Sequence, residues 1–416
     1  MRDKRSPILV YIVTVLFVVT LIGISWSNYR FALQNPGGND FLSRWVGARY
    51  FLLNGWSPYS EQTSEMIQNI AYGELADEGR DKMLFAYPFY SILLFAPFSL
   101  IGNYALARGL WMTALQTALV LIAWLSLSAT KWRPSKWLLI VIFIFSIFWY
   151  HGLRPTINGN ASIFVALFII LALISIRNEK DVAGGIWLAL STIKPQMVAL
   201  IIPLAIVWSI SKRRWLFMIS FFSSLGLLLA AFSALIPEWV IQNLHQILAY
   251  PGYTLPGTPG EIFAEWMPGI GKRLGWLVTI SLILVLILEW WSVINQDYYG
   301  FFWTACLTLV VTNLIGIRTA TENYIAMFPA LILVLSVIDK RWRRHGGWLV
   351  VLNLLGLFVG LWLIFLLTLQ YRDQPIQNSI LFFPLPVYLI IALYWVRWWA
   401  IRPPRLLIDE LRSLRE

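Results

Sequence analysis

Cysteine and histidine are scarce in this chain of 416 residues, and their scarcity excludes several kinds of protein. Cys306 is the single cysteine, so no disulfide can form within the chain. The three histidines lie far apart, and none has a partner four residues away, as a helical metal site requires. No Walker A, Rossmann or zinc-ligand spacing occurs. The sequence therefore argues against a nucleotide-driven pump or an enzyme that uses a soluble nucleotide donor, and we expect neither metal nor cofactor.

Charged residues are also scarce, at 13% of the chain, whereas hydrophobic residues make up 59% and aromatic residues 16%. Long apolar runs are typical of membrane-spanning helices, and aromatic residues collect at the two water–lipid boundaries. The net charge of +11 comes from lysines and arginines in short loops between these runs, which indicates topology rather than a nucleic-acid surface. The sequence predicts an all-α polytopic membrane protein, in contact with membrane lipids and without a nucleic-acid partner.

About twelve apolar runs are candidates for membrane crossings. They lie at about 7–26, 104–129, 136–151, 160–176, 181–193, 195–210, 213–236, 273–294, 299–317, 323–338, 346–370 and 380–397. We divide the chain into a catalytic transmembrane module, a second outer loop, C-terminal spans and a cytoplasmic tail. These are 1–236 (with a first outer loop at 27–83), 237–272, 273–400 and 401–416.

Five basic clusters in short loops are expected to face the cytoplasm. They lie at 2–5, 131–136, 212–214, 340–344 and 402–405. All five do so if twelve spans cross, both termini are cytoplasmic and residues 85–101 enter and leave on the outer face. A full crossing by 85–101, combined with one kinked helix at 181–210, also gives twelve crossings but places 131–136 outside. We prefer the first topology.

The first outer loop predicts a short helix with an acidic residue at its start. A Pro-Gly-Gly turn precedes Asn39 and Asp40, either of which can cap the helix. Apolar residues then recur every three or four positions over 41–53, as in an amphipathic helix too short to span a bilayer. Asp40 is either only a helix cap or a carboxylate at the mouth of a membrane active site, with Arg44 as its neighbour. A second partly helical segment is expected around 61–72.

Five cationic or polar residues suggest contacts with an anion or a sugar, and most of them also have a simpler explanation. Lys194 is costly at membrane depth unless it meets an anion or water, so it either binds a lipid-linked phosphate or extends to the headgroups. Arg318 either neutralises a leaving phosphate or pairs with Glu322 four residues on. Glu322 or Tyr324 is placed to contact a sugar. Arg108 is interpreted more simply as an anchor at the membrane surface.

Further polar and aromatic residues stand near predicted helix ends on the outer face. Arg154, Asn158 and Asn160 lie in a Gly- and Pro-containing stretch, which forms either an anion- or sugar-binding turn or a simple capped turn. Tyr87 is either an aromatic platform above a site or a residue of the interfacial aromatic belt. The Gly-, Pro- and Tyr-rich segment 250–260 is compatible with a structured lid and with an irregular connector.

The order of these elements resembles that in glycosyltransferase family 87 of the GT-C superfamily, whose members use polyprenyl-phosphate sugars and include polyprenyl-phosphate-mannose mannosyltransferases. The matching elements are Asp40, Arg49-Tyr50, Gly55-Trp-Ser-Pro58-Tyr59, Tyr87-Pro88, Phe95-Ala96-Pro97, Asn158-Gly159-Asn160, Lys194-Pro195 after Gly185, and Thr321–Tyr324 before Pro329. The last element carries Glu322 where many members have a histidine. The resemblance extends over roughly residues 1–340.

The resemblance implies a GT-C-type bundle with juxtamembrane helices in the first outer loop. It also implies inverting transfer of a sugar, mannose favoured, from a polyprenyl-phosphate donor to an envelope lipid or glycan on the outer face of a bacterial plasma membrane. Asp40 would be the general base. Lys194, Arg318, Arg108 and Arg154 would contact the donor phosphate. The substrate contacts would be Arg44, Tyr50, Tyr59, Tyr87, Asn158, Asn160, Glu322 and Tyr324.

Two other functions compete with this interpretation. A transporter or lipid-sugar flippase is expected to show internal repeats with broken helices in corresponding halves. The sequence contains one Lys-Pro break, at Lys194–Pro195, without a counterpart. An O-antigen-ligase- or polymerase-type enzyme would use a diphosphate-linked donor and usually needs a large late outer loop, whereas the larger loops here are early and central. Both alternatives rank behind a glycosyltransferase.

Overall fold

A computed structural model describes residues 7–77, 80–249, 257–294, 296–342, 344–369 and 377–401. Within these ranges all regular structure is helical, and no strand occurs. The α-helices are α1 (Pro7–Gln34), α2 (Asn39–Asn54), α3 (Glu61–Tyr72), α4 (Ile92–Ser99), α5 (Tyr104–Ala129), α6 (Lys136–Phe148), α7 (Tyr150–Asn158), α8 (Ser162–Arg177), α9 (Asp181–Ser191), α10 (Pro195–Val198), α11 (Ile201–Ser211), α12 (Trp215–Leu235), α13 (Trp239–Ala249), α14 (Pro259–Trp266), α15 (Gly271–Val293), α16 (Tyr298–Thr312), α17 (Phe328–Arg341), α18 (Gly346–Thr368) and α19 (Pro384–Ile401).

Seven helical segments are long and apolar enough to cross a membrane, by length and composition. They are Tyr11–Gln34, Tyr104–Ala129, Trp215–Leu235, Gly271–Val293, Thr321–Arg341, Gly346–Thr368 and Ser379–Arg397. The pair α6 and α7, bent by 43°, makes an eighth if it is one span. The prediction of an all-helical membrane protein is confirmed, whereas the count of twelve crossings stays a prediction.

The described residues form two compact units, which we treat separately. The first contains the described residues up to Ala118, Pro155–Ala161 and those from Ala231 to Ala249. The second contains Leu119–Arg154, Ser162–Ala230 and the described residues from 257 onward.

In the first unit, helix α2 packs against α3 and α4. Helix α3 begins where Ser60 accepts a hydrogen bond from the backbone N–H of Thr63, and the predicted segment 61–72 is confirmed at both ends. The amphipathic prediction for α2 was wrong in its first half, where Phe41 to Ala48 are all buried. Three-dimensional packing therefore encloses a helix that the sequence pattern places at a surface.

In the second unit, helices α16 and α17 form the most enclosed part. Every residue from Gly300 to Thr312 is buried, as is every residue from Phe328 to Ile338. Both stretches are apolar all round, which is the pattern of a helix without a solvent or lipid face. Both pack against α19, and the Trp303 indole donates to the Leu393 carbonyl at 2.9 Å.

Two breaks in the helices bear on the sequence predictions. The predicted turn at 154–160 was wrong for residues up to 158, because α7 continues through Pro155 and ends at Asn158. The predicted interruption near Pro195 is confirmed, since α9 ends at Ser191 and α10 begins at Pro195.

The segment 237–272, predicted as a second outer loop, contains two helices, α13 and α14. Thr258 and Glu261 form a capping box that starts α14, each side chain accepting from the other residue's backbone N–H. Most of segment 250–260, the basic cluster at 2–5 and the charged tail after 401 lie outside the described residues.

Candidate active site

The start of helix α2 determines where Asp40 lies. The prediction that Asn39 or Asp40 caps this helix was wrong, because the N-cap residue is Gly38 and no side chain caps the helix. Gly38 has φ +79°, and a Cβ there would meet the Arg108 guanidinium and lie 3.0 Å from the Tyr104 hydroxyl. Only glycine combines this backbone angle with this space. Asp40 therefore does not cap the helix and lies in its first turn.

The Asp40 carboxylate is held by two side chains. The Asn160 amide donates to one Asp40 oxygen at 2.9 Å, across 120 residues of sequence. An Arg44 nitrogen lies 3.7 Å from the other oxygen, which confirms Arg44 as its neighbour. Because 30% of the Asp40 side chain is exposed against 9% of Arg44, the carboxylate stays accessible while the cation is buried. A carboxylate has about four lone-pair sites, so acceptor capacity remains for a substrate hydroxyl.

Arg44 is itself fixed by its other contacts. Its guanidinium donates to the Ser43 hydroxyl at 2.6 Å and to the Asp40 main-chain oxygen at 3.2 Å. It also lies 4.3 Å from the centre of the buried Tyr87 ring, in a cation–π contact. Tyr87 therefore supports Arg44, and Arg44 in turn faces the carboxylate.

The Tyr87 segment is held by Tyr59. The Tyr59 hydroxyl donates to the Tyr87 carbonyl at 2.5 Å. Burial, and then the nearby Tyr90, raise the pKa of Tyr59 above its ordinary value. Tyr59 is therefore a neutral donor at physiological pH. Tyr59 is thus a positioning group that holds the Tyr87 segment.

Asn160 reaches Asp40 because the residues before it are anchored by helix α5. Arg108 donates to the carbonyls of Asn35 at 2.6 Å and Ile157 at 3.0 Å. The Trp111 indole donates to the Gly159 carbonyl at 2.9 Å. Gly159 has φ +73°, and a Cβ there would collide with the Phe41 side chain. In this arrangement the guanidinium of Arg108 joins backbone segments on both sides of the site.

Asp81 is a further candidate site residue, near Asp40 and Arg44, that the sequence analysis did not identify. Its carboxylate accepts from the Met83 backbone N–H at 2.8 Å. Surrounding protein atoms raise the pKa of Asp81; the Met83 hydrogen bond lowers it, the Asp40 charge raises it and Arg44 lowers it. Asp81 keeps accessible surface, so solvent limits the rise. Asp81 stands in a polar run among other charges, and no sequence signal sets it apart from them.

The raised pKa of Asp81 predicts a pH-dependent effect on stability. The folded chain holds this proton more tightly than the unfolded chain, so the stability of the wild type falls as pH rises from the ordinary carboxyl pKa of 3.8 through the raised folded pKa. We expect Asp81→Asn, which keeps an acceptor oxygen for Met83, to raise the Tm at pH 7 by about 1–2 °C and to have less effect at pH 3. Thermal unfolding in detergent at both pH values checks this; a lower Tm for the variant at pH 7 would contradict it.

Two remaining predicted residues of the first unit lie at helix ends. The Tyr50 ring stacks on Trp56, with ring centres 5.2 Å apart, near the end of α2. Asn158 is the last residue of α7 and is half-buried.

The other predicted residues belong to the second unit. Lys194 is buried in the break between α9 and α10. Arg154 lies 5.2 Å from the Phe365 ring centre. The Arg318 guanidinium pairs with Glu261 at 2.5 Å, and the other Glu261 oxygen accepts from the Gly257 and Thr258 backbone N–H groups.

Glu322 and Tyr324 lie in the 3-10 segment Thr321–Met327, all of whose residues are buried. The Ser162 hydroxyl donates to the Glu322 main-chain oxygen at 2.8 Å. The Tyr324 hydroxyl donates to the Phe382 carbonyl at 2.8 Å, so it is already bound to a main-chain acceptor. No group of three His, Cys, Asp or Glu residues within the described ranges is arranged to hold a metal ion.

An accessible, fixed carboxylate in a chain of many apolar helices defines a membrane protein with a candidate acid–base site. The sequence model of Glycosyltransferase family 87 matches residues 85–316, more than half of the chain. The protein belongs to this family and is therefore a membrane glycosyltransferase of the GT-C superfamily. No curated protein and no solved structure matches it. The matched region contains Tyr87, Asn160 and Lys194, whereas Asp40 precedes it and Arg318 follows it.

Proposed function

We propose that the protein transfers a sugar, mannose favoured, from a polyprenyl-phosphate donor to an envelope lipid or glycan acceptor, with inversion at the anomeric carbon. The observation that carries this proposal is the Asp40 carboxylate, accessible to substrate yet oriented by Asn160 and Arg44. Family membership supplies the reaction class, because it makes the chain a membrane glycosyltransferase.

The proposed reaction is a single displacement. Asp40 accepts the proton of the acceptor hydroxyl as that oxygen forms a bond to the anomeric carbon. The bond from the anomeric carbon to the phosphate oxygen breaks, and the polyprenyl phosphate leaves with the electron pair. Attack from the face opposite the leaving group inverts the configuration. The proton remains on Asp40 until solvent removes it.

The leaving phosphate gains negative charge as its bond breaks, and positioned cations lower that barrier. We assign this role to Lys194 and Arg154, and to Arg318 once it exchanges Glu261 for the phosphate. Arg108 was assigned to the same group, but its two hydrogen bonds to main-chain carbonyls support a positioning role instead. Glu322, Tyr50 and Asn158 remain proposed substrate contacts.

A charge-removing substitution tests the Lys194 assignment. We expect Lys194→Met to raise KM for the lipid-phosphate donor about tenfold, equivalent to about 1.4 kcal/mol of lost binding, and Lys194→Arg to keep most of the affinity. The matched control is Lys136→Met, an exposed lysine at the first residue of α6. Initial rates across a donor series in nanodiscs give KM; equal values for Lys194→Met and Lys136→Met would contradict the assignment.

We also propose that the site opens on the outer face of a bacterial plasma membrane, with both termini cytoplasmic. The eight candidate spans, with the shorter apolar helices α8, α9, α11 and α16, bring the number of crossings to twelve. Helices α9 and α11 have 11 residues each, or about 17 Å, which is shorter than the hydrocarbon core. Each of the two crossings therefore also needs residues of the break around Lys194–Pro195.

Reconstituted protein tests the proposed function. Purified chain in nanodiscs is incubated with polyprenyl-phosphate-mannose and a panel of envelope lipids and glycans. We expect a mannosylated acceptor and free polyprenyl phosphate in equal amounts. The rival function, transport of the lipid-linked sugar, predicts that the donor changes leaflet in sealed vesicles without being cleaved. Leaflet exchange with an intact donor would overturn the proposal.

A further inference from the structure

Helix α13 in the first unit has the opposite polarity to a helix on a soluble protein. The residues it buries are Trp239, Asn243 and Gln246. Its exposed face is mainly apolar, with Ile241 59%, Leu244 50% and Leu248 76% exposed, and it also carries the exposed His245. At 100° per residue these two sets lie on opposite sides of the helix. The side of α13 that faces the protein is thus largely polar, and the side that faces outward is largely apolar.

The position of α13 in the chain keeps it close to the end of a membrane span. Helix α12 ends at Leu235 and α13 begins at Trp239. Four residues of extended chain reach at most about 14 Å, so the start of α13 stays near the end of that span. Phe232 of α12 and Trp239 of α13 also both contact the Phe89 ring, with ring centres 5.1 and 6.4 Å apart.

The length and face of α13 select the lipid boundary as its surroundings. Eleven residues make a helix of about 17 Å, about half of the roughly 30 Å hydrocarbon core, so α13 alone does not span it. An exposed apolar face that is held near the end of a span is the pattern of a helix lying in the plane of the membrane surface.

The polar face of α13 holds two segments of the candidate site. Ser57 lies two residues before Tyr59, and its hydroxyl donates to the Gln242 side-chain oxygen at 2.8 Å. Ala86 lies one residue before Tyr87, and its backbone N–H donates to the Gln246 side-chain oxygen at 2.9 Å. Two glutamine oxygens on one helix thus fix both of the aromatic segments that support Arg44.

We infer that α13 is a membrane-surface helix whose apolar face is buried in the lipid headgroup–acyl boundary. Through Gln242 and Gln246 it sets the position of the Tyr59 and Tyr87 segments relative to the lipid leaflet. The effect on catalysis rests on the proposed function, since a donor and acceptor carried by lipid must meet Asp40 at a defined depth. The lipid contact itself does not depend on the reaction.

The lipid contact is tested with spin labels, for which the single buried cysteine is an advantage. In a Cys306→Ala background, Leu244→Cys and Leu248→Cys are labelled in nanodiscs and their collision rates with oxygen and with Ni-EDDA are measured. Leu227→Cys on the exposed face of α12 is the lipid control, and Glu61→Cys on α3 is the water control. We expect both α13 labels to give a ratio of oxygen to Ni-EDDA collision rates above that of Glu61→Cys and below that of Leu227→Cys, because Leu227 lies in the middle of α12 and α13 lies near the headgroups.

Two results would overturn the lipid assignment. Labels at 244 and 248 that match the Glu61 control would place this face in water. Dipolar broadening that appears when two copies share a nanodisc, and is absent with one, would mean that a second copy of the chain covers the face. Neither result depends on whether the protein transfers a sugar, so this test stands if the proposed function fails.

The positioning role is tested with substitutions at Gln246. Gln246→Leu removes the acceptor for the Ala86 N–H, whereas Gln246→Glu keeps an acceptor oxygen. We expect Gln246→Leu to raise KM for the donor about tenfold at unchanged protein yield, and Gln246→Glu to restore it. The control is Asn243→Leu, on the same buried face, because the Asn243 side-chain nitrogen has no partner among the described residues. Equal KM values for Gln246→Leu and Asn243→Leu would overturn the positioning role.

Discussion

Replacing Asp40 by asparagine is expected to lower kcat for sugar transfer by about 10²–10⁴-fold, the usual contribution of a general base. Asparagine keeps the shape of the side chain and an oxygen for the Asn160 amide, but it cannot accept the acceptor proton. The apparent KM for the donor should change little, because the carboxylate contacts the acceptor hydroxyl. Initial rates with purified protein in nanodiscs, over a range of donor concentrations, measure both constants.

The matched control for this substitution is Glu61→Gln. Glu61 stands in the first turn of α3 as Asp40 stands in the first turn of α2, and both helices lie in the segment 27–83. Loss of a first-turn negative charge costs each helix about the same stability, typically 0.3–1 kcal/mol. Glu61→Gln should therefore keep wild-type kinetics. Equal rates for Asp40→Asn and wild type would remove Asp40 from the mechanism.

Replacing Asn160 by leucine is expected to lower kcat by about 10- to 100-fold. The substitution removes the amide that donates to Asp40 at 2.9 Å, and a hydrogen bond to a charged group contributes about 1.5–3 kcal/mol. Leucine is similar in size, so the packing around Trp111 and Gly159 should persist. The carboxylate remains but loses its fixed orientation towards the acceptor.

A double-mutant cycle separates this positioning effect from general damage to the fold. In the Asp40→Asn background there is no base left to orient, so adding Asn160→Leu should lower the residual rate little further. The same substitution in the wild-type background should show its full effect. Equal fold losses in both backgrounds would mean that Asn160 acts independently of Asp40, which contradicts the account.

Local contacts near Asp40 could be predicted from sequence, because they follow from helical spacing. Arg44 lies four residues after Asp40, and such a pair shares one face of a helix. A partly helical segment around 61–72 was predicted, and the structure adds the Ser60 cap at its start. The break near Pro195 followed from the missing proline N–H. Each of these inferences needs only a few neighbouring residues.

Contacts between distant segments could not be predicted in the same way. Asn160 meets Asp40 because Arg108 and Trp111 anchor the backbone before it, and no pattern within 120 residues of sequence shows this. The prediction that Asp40 caps the helix failed because Gly38 is the N-cap residue. Its left-handed conformation is not indicated by the residues next to it in the sequence. Asp81 resembles the charged residues around it until folding brings it near Asp40.

Helix α13 shows why polarity patterns need a known solvent. It lies in the segment 237–272, which the sequence analysis treats only as a loop, and on a soluble protein its apolar side would be the buried one. The structure buries Asn243 and Gln246 and exposes Leu244 and Leu248. The order of polar and apolar residues alone does not show which side of the helix faces the protein, because at a membrane surface the apolar side is stable on the outside.

The configuration of the new glycosidic bond tests the central claim most directly. In a single displacement with Asp40 as base, the sugar is inverted relative to the polyprenyl-phosphate donor, and no covalent sugar–enzyme intermediate forms. NMR of the purified product, made with a donor of defined anomeric configuration, measures this in one experiment. We predict that the product has the opposite configuration to the donor. A product that retains the donor configuration would contradict the single displacement and, with it, the role of Asp40.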